Sequence, residues 1–249
     1  GAIVAIAGTV AAMLVGTHGV LVAFGAAMAA ALVCGLWNGL LVATLGLQPI
    51  IATLILMVAG RGLAQLLTDG QILTIYEPQS FFWLGGGYLL GLPVSVFVLA
   101  TVAGLTGLLM RRTALGLFIE SVGINPVASR LAGVPTLAVM LFVYLYSSFG
   151  AGLAGLMITS NIKSADANNA GLLLELDAIL AVTLGGGLLS GGRFSLVGSL
   201  IGALVIQTLT STIYALGVPP QVTMVVKALV VFAVCILQSP VWVKKGGAR

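Results

Sequence analysis

Apolar residues run in long unbroken stretches along this chain, and polar or Gly/Pro-rich breaks separate them. A helix needs about 20 residues to cross a hydrocarbon core of about 30 Å. The runs 21–45, 89–110, 137–158 and 222–237 meet or approach that length. They do not alternate apolar and polar as lipid-facing barrel strands do, and they are too long for such strands. Helices satisfy their own backbone hydrogen bonds, which lipid cannot do. The pattern predicts eight helical spans, at about 1–15, 21–44, 49–68, 88–110, 134–159, 175–190, 194–214 and 221–240. The breaks have physical reasons. Gly46–Pro49 is a turn with proline at the next helix start, and 69–80 is polar enough to leave the bilayer. The stretch Gly85–Pro93 suits a re-entrant or interfacial turn, and Gly217-Val218-Pro219-Pro220 is a hairpin that no helix can continue through.

Composition agrees. Hydrophobic residues make up 60% of the 249 positions and charged residues 6%, against about 45–50% and 25% in soluble domains. The 34 glycines suit close approach of helix backbones in a membrane. The fold class is therefore all-α, a polytopic transmembrane bundle. Chain start Gly1 lies directly in an apolar stretch, with no signal-peptide pattern. This suggests a single transmembrane domain over 1–249 that lacks its N-terminal part.

Charge sets the expected orientation. Arg111, Arg112, Arg130, Arg193, Lys244, Lys245 and Arg249 fall on one side of these spans, which the positive-inside rule makes cytoplasmic. Asp69, Glu77, Lys163 and Asp166 fall on the other, with Glu175 and Asp177 near a span start. The net charge of +4 is thus a topology signal, and nucleic-acid binding is not expected.

Candidate chemistry is sparse. The single histidine, His18, lies in the polar break 16–19 and reads as a solvated loop residue. Cys34 and Cys235 sit inside apolar runs and read as small buried hydrophobes. No metal-ligand spacing, Walker A sequence, HExxH or usable Ser/His/Asp set occurs, so no catalytic, metal or cofactor site is expected and the chain is not read as an enzyme. The glycine-rich stretch 185–193 precedes a helix, but it lacks a Gly-Lys-Ser/Thr ending. Gly185, Gly186, Gly191, Gly192 and Arg193 read instead as a tight cytoplasmic turn between close-packed spans.

Two features demand more. Ionisable residues inside membrane spans are functional by default. Arg61, Glu175, Asp177 and Lys227 are expected to form an outer-half charge network, the alternative being that Arg61 or Lys227 snorkels outward. The segment 111–133 is amphipathic and too polar to span. Leu115, Phe118 and Val122 can form one face with Glu120 off it, and Asn125-Pro126 marks a second helix start. Val127, Leu131 and Val134 continue an apolar stripe. The residues alone leave open an interfacial helix or a docking element for a soluble partner.

Residues 171–204 resemble the signature of ribose-type sugar permeases of ATP-binding-cassette importers: Glu175-Leu176-Asp177-Ala178-Ile179, then Gly185-Gly186, then Ser190-Gly191-Gly192-Arg193. Residues 114–134 resemble that family's coupling segment, with Ser121-Val122-Gly123-Ile124-Asn125, Ala128 and Gly133-Val134. The third span, 50–70, also resembles a family segment. The run Ala165–Gly171 and Gln48-Pro49 resemble the galactofuranose-importing branch. The resemblance implies about ten spans per subunit, of which about eight are visible, and two subunits per pore, with a second and different permease chain in that branch. It implies a bacterial inner-membrane location and alternating access without hydrolysis by the permease itself. A cytoplasmic ATPase would dock on a coupling segment containing Leu117, Glu120, Ser121, Val122, Gly123, Asn125 and Ala128. A periplasmic binding protein would deliver a monosaccharide, galactofuranose or galactose-like. Glu120 departs from the more usual Ala. The alternatives are a branched-chain amino-acid permease of the same type, an ion-coupled secondary transporter and a membrane enzyme. The Glu-Leu-Asp run disfavours the first. The second and third lack the carboxylates at mid-depth and the catalytic residues they need.

Overall fold

The computed structural model describes residues 1–76, 78–187, 191 and 195–217, with positions 222, 225, 226, 228 and 229. Glu77, Gly192, Arg193, Lys227, Cys235 and the expected span 221–240, those positions apart, lie outside the described residues. The chain divides into two compact units, Gly1–Glu175 and Leu176–Arg249.

The first unit is built on α1 (Ala2–Ala43), α2 (Pro49–Leu67) and α7 (Thr136–Ile162). Helix α1 is two helices joined across a kink, with Gly19 at φ 81° and ψ 170°. Glycine reaches that conformation without a Cβ penalty. The packing shows what the break does. Gly8 lies against Gly155 and Thr159, while Ala31 and Met28 lie against Gly152. In a straight helix residues 8 and 31 would stand about 34 Å apart, yet their partners on α7 are within about two turns of each other. The chain therefore folds back at Gly19. Residues 2–18 and 20–43 are two segments, as the polar break at 16–19 predicts. Both contribute to one core: Ala7, Ala11 and Val15 from the first, Ala23, Ala27 and Ala31 from the second, with Leu156 and Phe81. His18 is exposed beside the bend, its Nδ1 2.7 Å from Thr17 Oγ1.

Proline at the first helical position starts α2, as expected. The polar stretch after it forms a two-residue strand, β1 (Leu73–Thr74), and a short helix, α3 (Gln79–Gly86). Helix α3 docks on α7 through Ser160, which is 1% exposed. The Ser160 hydroxyl donates to the Phe81 carbonyl at 2.6 Å and accepts from the Gly85 amide at 2.8 Å. The expected span 88–110 begins later. Residues 88–93 form a hairpin, β2 (Tyr88–Leu89) with β3 (Leu92–Pro93), turning through Leu90 and Gly91 at positive φ. Only then does α4 (Val94–Arg112) start.

In the second unit α8 (Leu174–Leu184) runs in from Glu175, and α9 (Leu196–Ala215) follows. The expected span 175–190 is corrected here. Helix α8 has 11 residues, about 16 Å, too short to cross a bilayer. It stops because Gly185, Gly186 and Gly187 follow, with Gly186 at φ 82°. Among the described residues, five helices are long and apolar enough to span a membrane: α1, α2, α4, α7 and α9. The chain is a multi-pass membrane protein, and the folding back of α1 divides its longest helix into two segments.

Candidate functional site

The first unit carries structured segments at both ends of α7. Next to its start lie α5 (Ala114–Ile124) and α6 (Pro126–Leu131). Thr113 separates α4 from α5, and Gly116 presses on the Met110 backbone, so the chain turns sharply there. Asn125 joins α5 to α6. Its Oδ1 accepts the amides of Val127 and Ala128, both at 3.0 Å, and Pro126 opens the helix. Such a cap contributes about 1 kcal/mol, which matters for a six-residue helix that is marginal by itself. Val122 and Ser129 are buried, and Leu115, Phe118, Glu120 and Ser121 are half-buried. The apolar side chains pointing away are Leu117 (70% exposed), Ile124 (71%), Val127 (69%) and Leu131 (85%). Gly123, Asn125 and Ala128 are exposed among them. Of the expected stripe, Val127 and Leu131 are exposed and Val134 is half-buried. Arg111, Arg112 and Arg130 are exposed at this same end.

At the other end of α7, two loops that charge assigns to one side of the membrane are joined. Strand β1 pairs antiparallel with β4 (Ser164–Ala165), Leu73 opposite Ala165 and Thr74 opposite Ser164. The chain then turns through Asp166. Asp166 Oδ1 accepts the amides of Asn168 (2.9 Å) and Asn169 (3.1 Å), and its Oδ2 accepts from Asn169 Nδ2 at 2.7 Å. Helix α2 clasps this turn. Arg61 Nη1 donates to the Asn168 carbonyl, and Arg61 Nη2 to the Ala170 carbonyl at 3.4 Å. Gln65 Nε2 donates to Asn168 Oδ1 at 2.7 Å, and Asn168 Nδ2 donates to the Gly70 carbonyl at 3.3 Å. Ala167 is 1% exposed and packs with Ala5, Ile6 and Ala64, with Cys34 and Ala170 alongside.

The expected charge network takes a different form in this unit. The direct bonds of Arg61 go to carbonyl oxygens, because the turn brings two of them to its fork. Glu175 Oε2 lies 3.0 Å from the Gly1 nitrogen. Arg61 acts on Asp166 and Glu175 through its field. Asp177 belongs to the second unit, and Lys227 lies outside the described residues. Sequence reasoning missed Gln65 and Asn168. Two signals were available: Arg61 and Gln65 are four apart on one helix face, and Asp-x-Asn-Asn is an Asx-turn pattern.

Burial, the largest single influence, pushes the Asp166 carboxyl up. The hydrogen bonds from the Asn169 side chain and the Asn168 and Asn169 amides, with Arg61 nearby, together hold it below the usual carboxylate range. A depressed native pKa contributes stability above the unfolded value, about 3.9, and loses it as pH falls through the native value. The Asn168 and Asn169 amides should therefore keep their hydrogen-exchange protection from neutral pH down to about pH 4, and lose it only in stronger acid. Equal loss of protection between pH 7 and 5 would contradict this, the range being about where free Asp is still ionised.

In the second unit the glycine turn is partly described. Gly185 donates to the Ala181 carbonyl at 3.0 Å and Gly186 to Thr183 at 3.0 Å, and Gly191 has φ 90°. Gly185 touches the Gly198 backbone and Gly202 the Ala181 carbonyl, so α8 and α9 meet backbone to backbone. The Ser195 hydroxyl caps α9, accepting from the Gly198 amide at 3.1 Å. Among the described residues no cluster of three His, Cys, Asp or Glu could hold a metal.

Five apolar spans among the described residues make this an integral membrane protein that crosses the bilayer several times. The chain belongs to the family described as branched-chain amino acid transport system / permease component, whose model matches residues 1–235. It is 51% identical over 240 residues to the galactofuranose transporter permease protein YtfT of Escherichia coli K12, covering 96% of this chain and 70% of that one. It is 42% identical over 217 residues to the fructose import permease protein FruF of Bifidobacterium longum, covering 86% and 61%. It is 35% identical over 243 residues to the ribose import permease protein RbsC of Escherichia coli K12, covering 96% and 75%. The chain thus spans 61% to 75% of these relatives' lengths. No solved structure matches the chain.

Proposed function

We propose that this chain forms part of one half of the membrane channel of an ATP-driven sugar importer in a bacterial inner membrane, and that its cargo is a monosaccharide of the galactofuranose or galactose type. The observation that carries the reading is the exposed apolar tip of α5–α6, on a chain whose relatives are named as permeases for galactofuranose, fructose and ribose. Those names favour a sugar over a branched-chain amino acid, despite the family's title.

The exposed helix pair and the clasped loop support the following roles. The arginine-rich end is cytoplasmic by the positive-inside rule. There Leu117, Glu120, Ser121, Val122, Gly123, Asn125 and Ala128 make the segment on which a cytoplasmic ATPase docks. Leu117 and Ala128 meet the partner, Val122 anchors the segment inward, and Asn125 fixes the angle between its helices. ATP-driven closure of the ATPase moves this segment, and rigid spans rotate with it. Gly185 and Gly186 open the tight turn that, with Gly191, Gly192 and Arg193, joins the close-packed α8 and α9. The clasped loop faces outward, where a periplasmic binding protein releases sugar. Arg61, Glu175, Asp177 and Lys227 are the outer-half charges. A neutral sugar needs no fixed charge along its path. A second permease chain, identical or different, completes the pore, and the ATPase partner performs the hydrolysis.

Tagged chain purified from its native membrane should bring down an ATPase subunit and a second permease, and vesicles holding the complex should accumulate sugar only with ATP and binding protein. Recovery of the chain with no ATPase would overturn the reading.

A further inference from the structure

We propose that residues 164–173 are a movable re-entrant gate at the outer mouth, and that Arg61 is the positioning residue that holds it shut. The proposal rests on the importer reading for its purpose, and on the geometry of the clasp for its existence.

The segment is non-helical backbone packed among helices. Ala167 sits against Ala5, Ile6 and Ala64, with Cys34 and Ala170 beside it. Gly171 touches Gly1 and Val4. Asn168 and Asn169 at its tip are exposed while Ala165 and Ala167 are buried, so the chain dips into the unit and returns. Arg61 supplies two N–H groups to the carbonyls of Asn168 and Ala170, and Gln65 supplies a third to the Asn168 side chain. An arginine within an apolar span is costly to keep, and here its direct bonds go to the loop.

Two further observations make the segment a gate rather than a fixed plug. Its own packing residues are Ala165, Ala167, Ala170 and Gly171, which bury little apolar area each against Ala5, Ile6, Ala64 and Val4. The hydrogen bonds therefore carry the attachment. Both ends of the segment are also strained. Lys163 has φ 59° and Leu173 has φ 60°. Non-glycine residues hold this left-handed conformation only where their surroundings impose it, and such strain collects at clamps and switches. Opening the clasp lets both ends relax. The latch is breakable because the fork of Arg61 binds neutral carbonyls, and its field on Asp166 and Glu175 keeps the guanidinium in place when they part.

Cys34 packs against the cluster that contains Ala167, which makes it a native reporter. The complete transporter with Cys235→Ala is treated in right-side-out vesicles with a membrane-impermeant maleimide. Arg61→Ala should speed Cys34 labelling about tenfold or more, as expected for losing both charge-assisted hydrogen bonds. Arg61→Lys should fall between, since a point charge replaces a fork. Leu173→Gly should slow labelling, because it relieves strain in the closed form alone. A misfolded protein cannot produce that opposite sign. Arg111→Ala, at the other end, should leave labelling unchanged. Unchanged labelling in Arg61→Ala, or faster labelling in Leu173→Gly, overturns the gate. ATP-dependent sugar uptake by the parent is measured in parallel. A parent that takes up no sugar, with the labelling pattern intact, sinks the importer reading and leaves the gate standing.

Discussion

Gly155→Leu should abolish the folded permease, with recovery of monodisperse protein falling about tenfold or more. A Cβ built at Gly155 lies 2.5 Å from the Val4 carbonyl oxygen and 3.2 Å from Ala7 Cβ. The nearest of these is backbone, so no rotamer change makes room. Overpacking typically costs about 1–3 kcal/mol and sometimes more, a large part of a total stability of about 5–15 kcal/mol. The site is also where the first segment of α1 crosses α7, so a displaced contact unseats the core of Ala7, Ala11 and Leu156. Gly25→Leu is the matched control: nothing lies within 4 Å of a Cβ there, and a leucine improves helix propensity by up to about 1 kcal/mol. Thermal denaturation of the two variants in the same detergent tests this. Similar losses from both would mean that composition, not the crossing, sets the cost.

Gly123→Asp should reduce ATP-driven uptake by about tenfold or more while folding and membrane insertion stay normal. Gly123 is exposed on α5, next to Ile124, which is 71% exposed. Aspartate is the better helix former of the two residues, so the local fold is not weakened. The charge would, however, be buried unpaired when a partner covers the apolar tip, and an unpaired buried charge costs several kcal/mol. A loss of about 1.4 kcal/mol already means tenfold weaker docking. The readouts are ATPase co-purification and uptake in the same preparation. Normal uptake with Asp in place would remove α5 from the docking surface.

Particular elements show how far the chain can be read unaided. The polar break at 16–19 was legible because Gly16 and Gly19 bracket Thr17 and His18, and the bend falls on Gly19. The helix pair 114–131 was legible because Asn125-Pro126 both caps and starts a helix. The late start of α4 was not, since Tyr88, Leu89, Leu90 and Leu92 are as apolar as the helix they precede. Hydrophobicity cannot separate a hairpin at the interface from the first turn of a span. The partners of Arg61 were not legible either. Charge patterning pairs a cation with carboxylates, whereas the turn at Asp166 presents carbonyl oxygens that no pattern of side chains reveals.

By itself, the sequence determined that this protein lives in a membrane, roughly where most of its long helices run and which end is basic. Those properties follow from burial of apolar groups and from local backbone preference, which act over one helix length. Only the tertiary structure decided that α1 doubles back on α7, that the two loops far apart in the chain pair through β1 and β4, and that Val127 and Leu131 point outward. These are contacts between residues distant in sequence, set by which glycines let backbones touch and which donors reach which carbonyls.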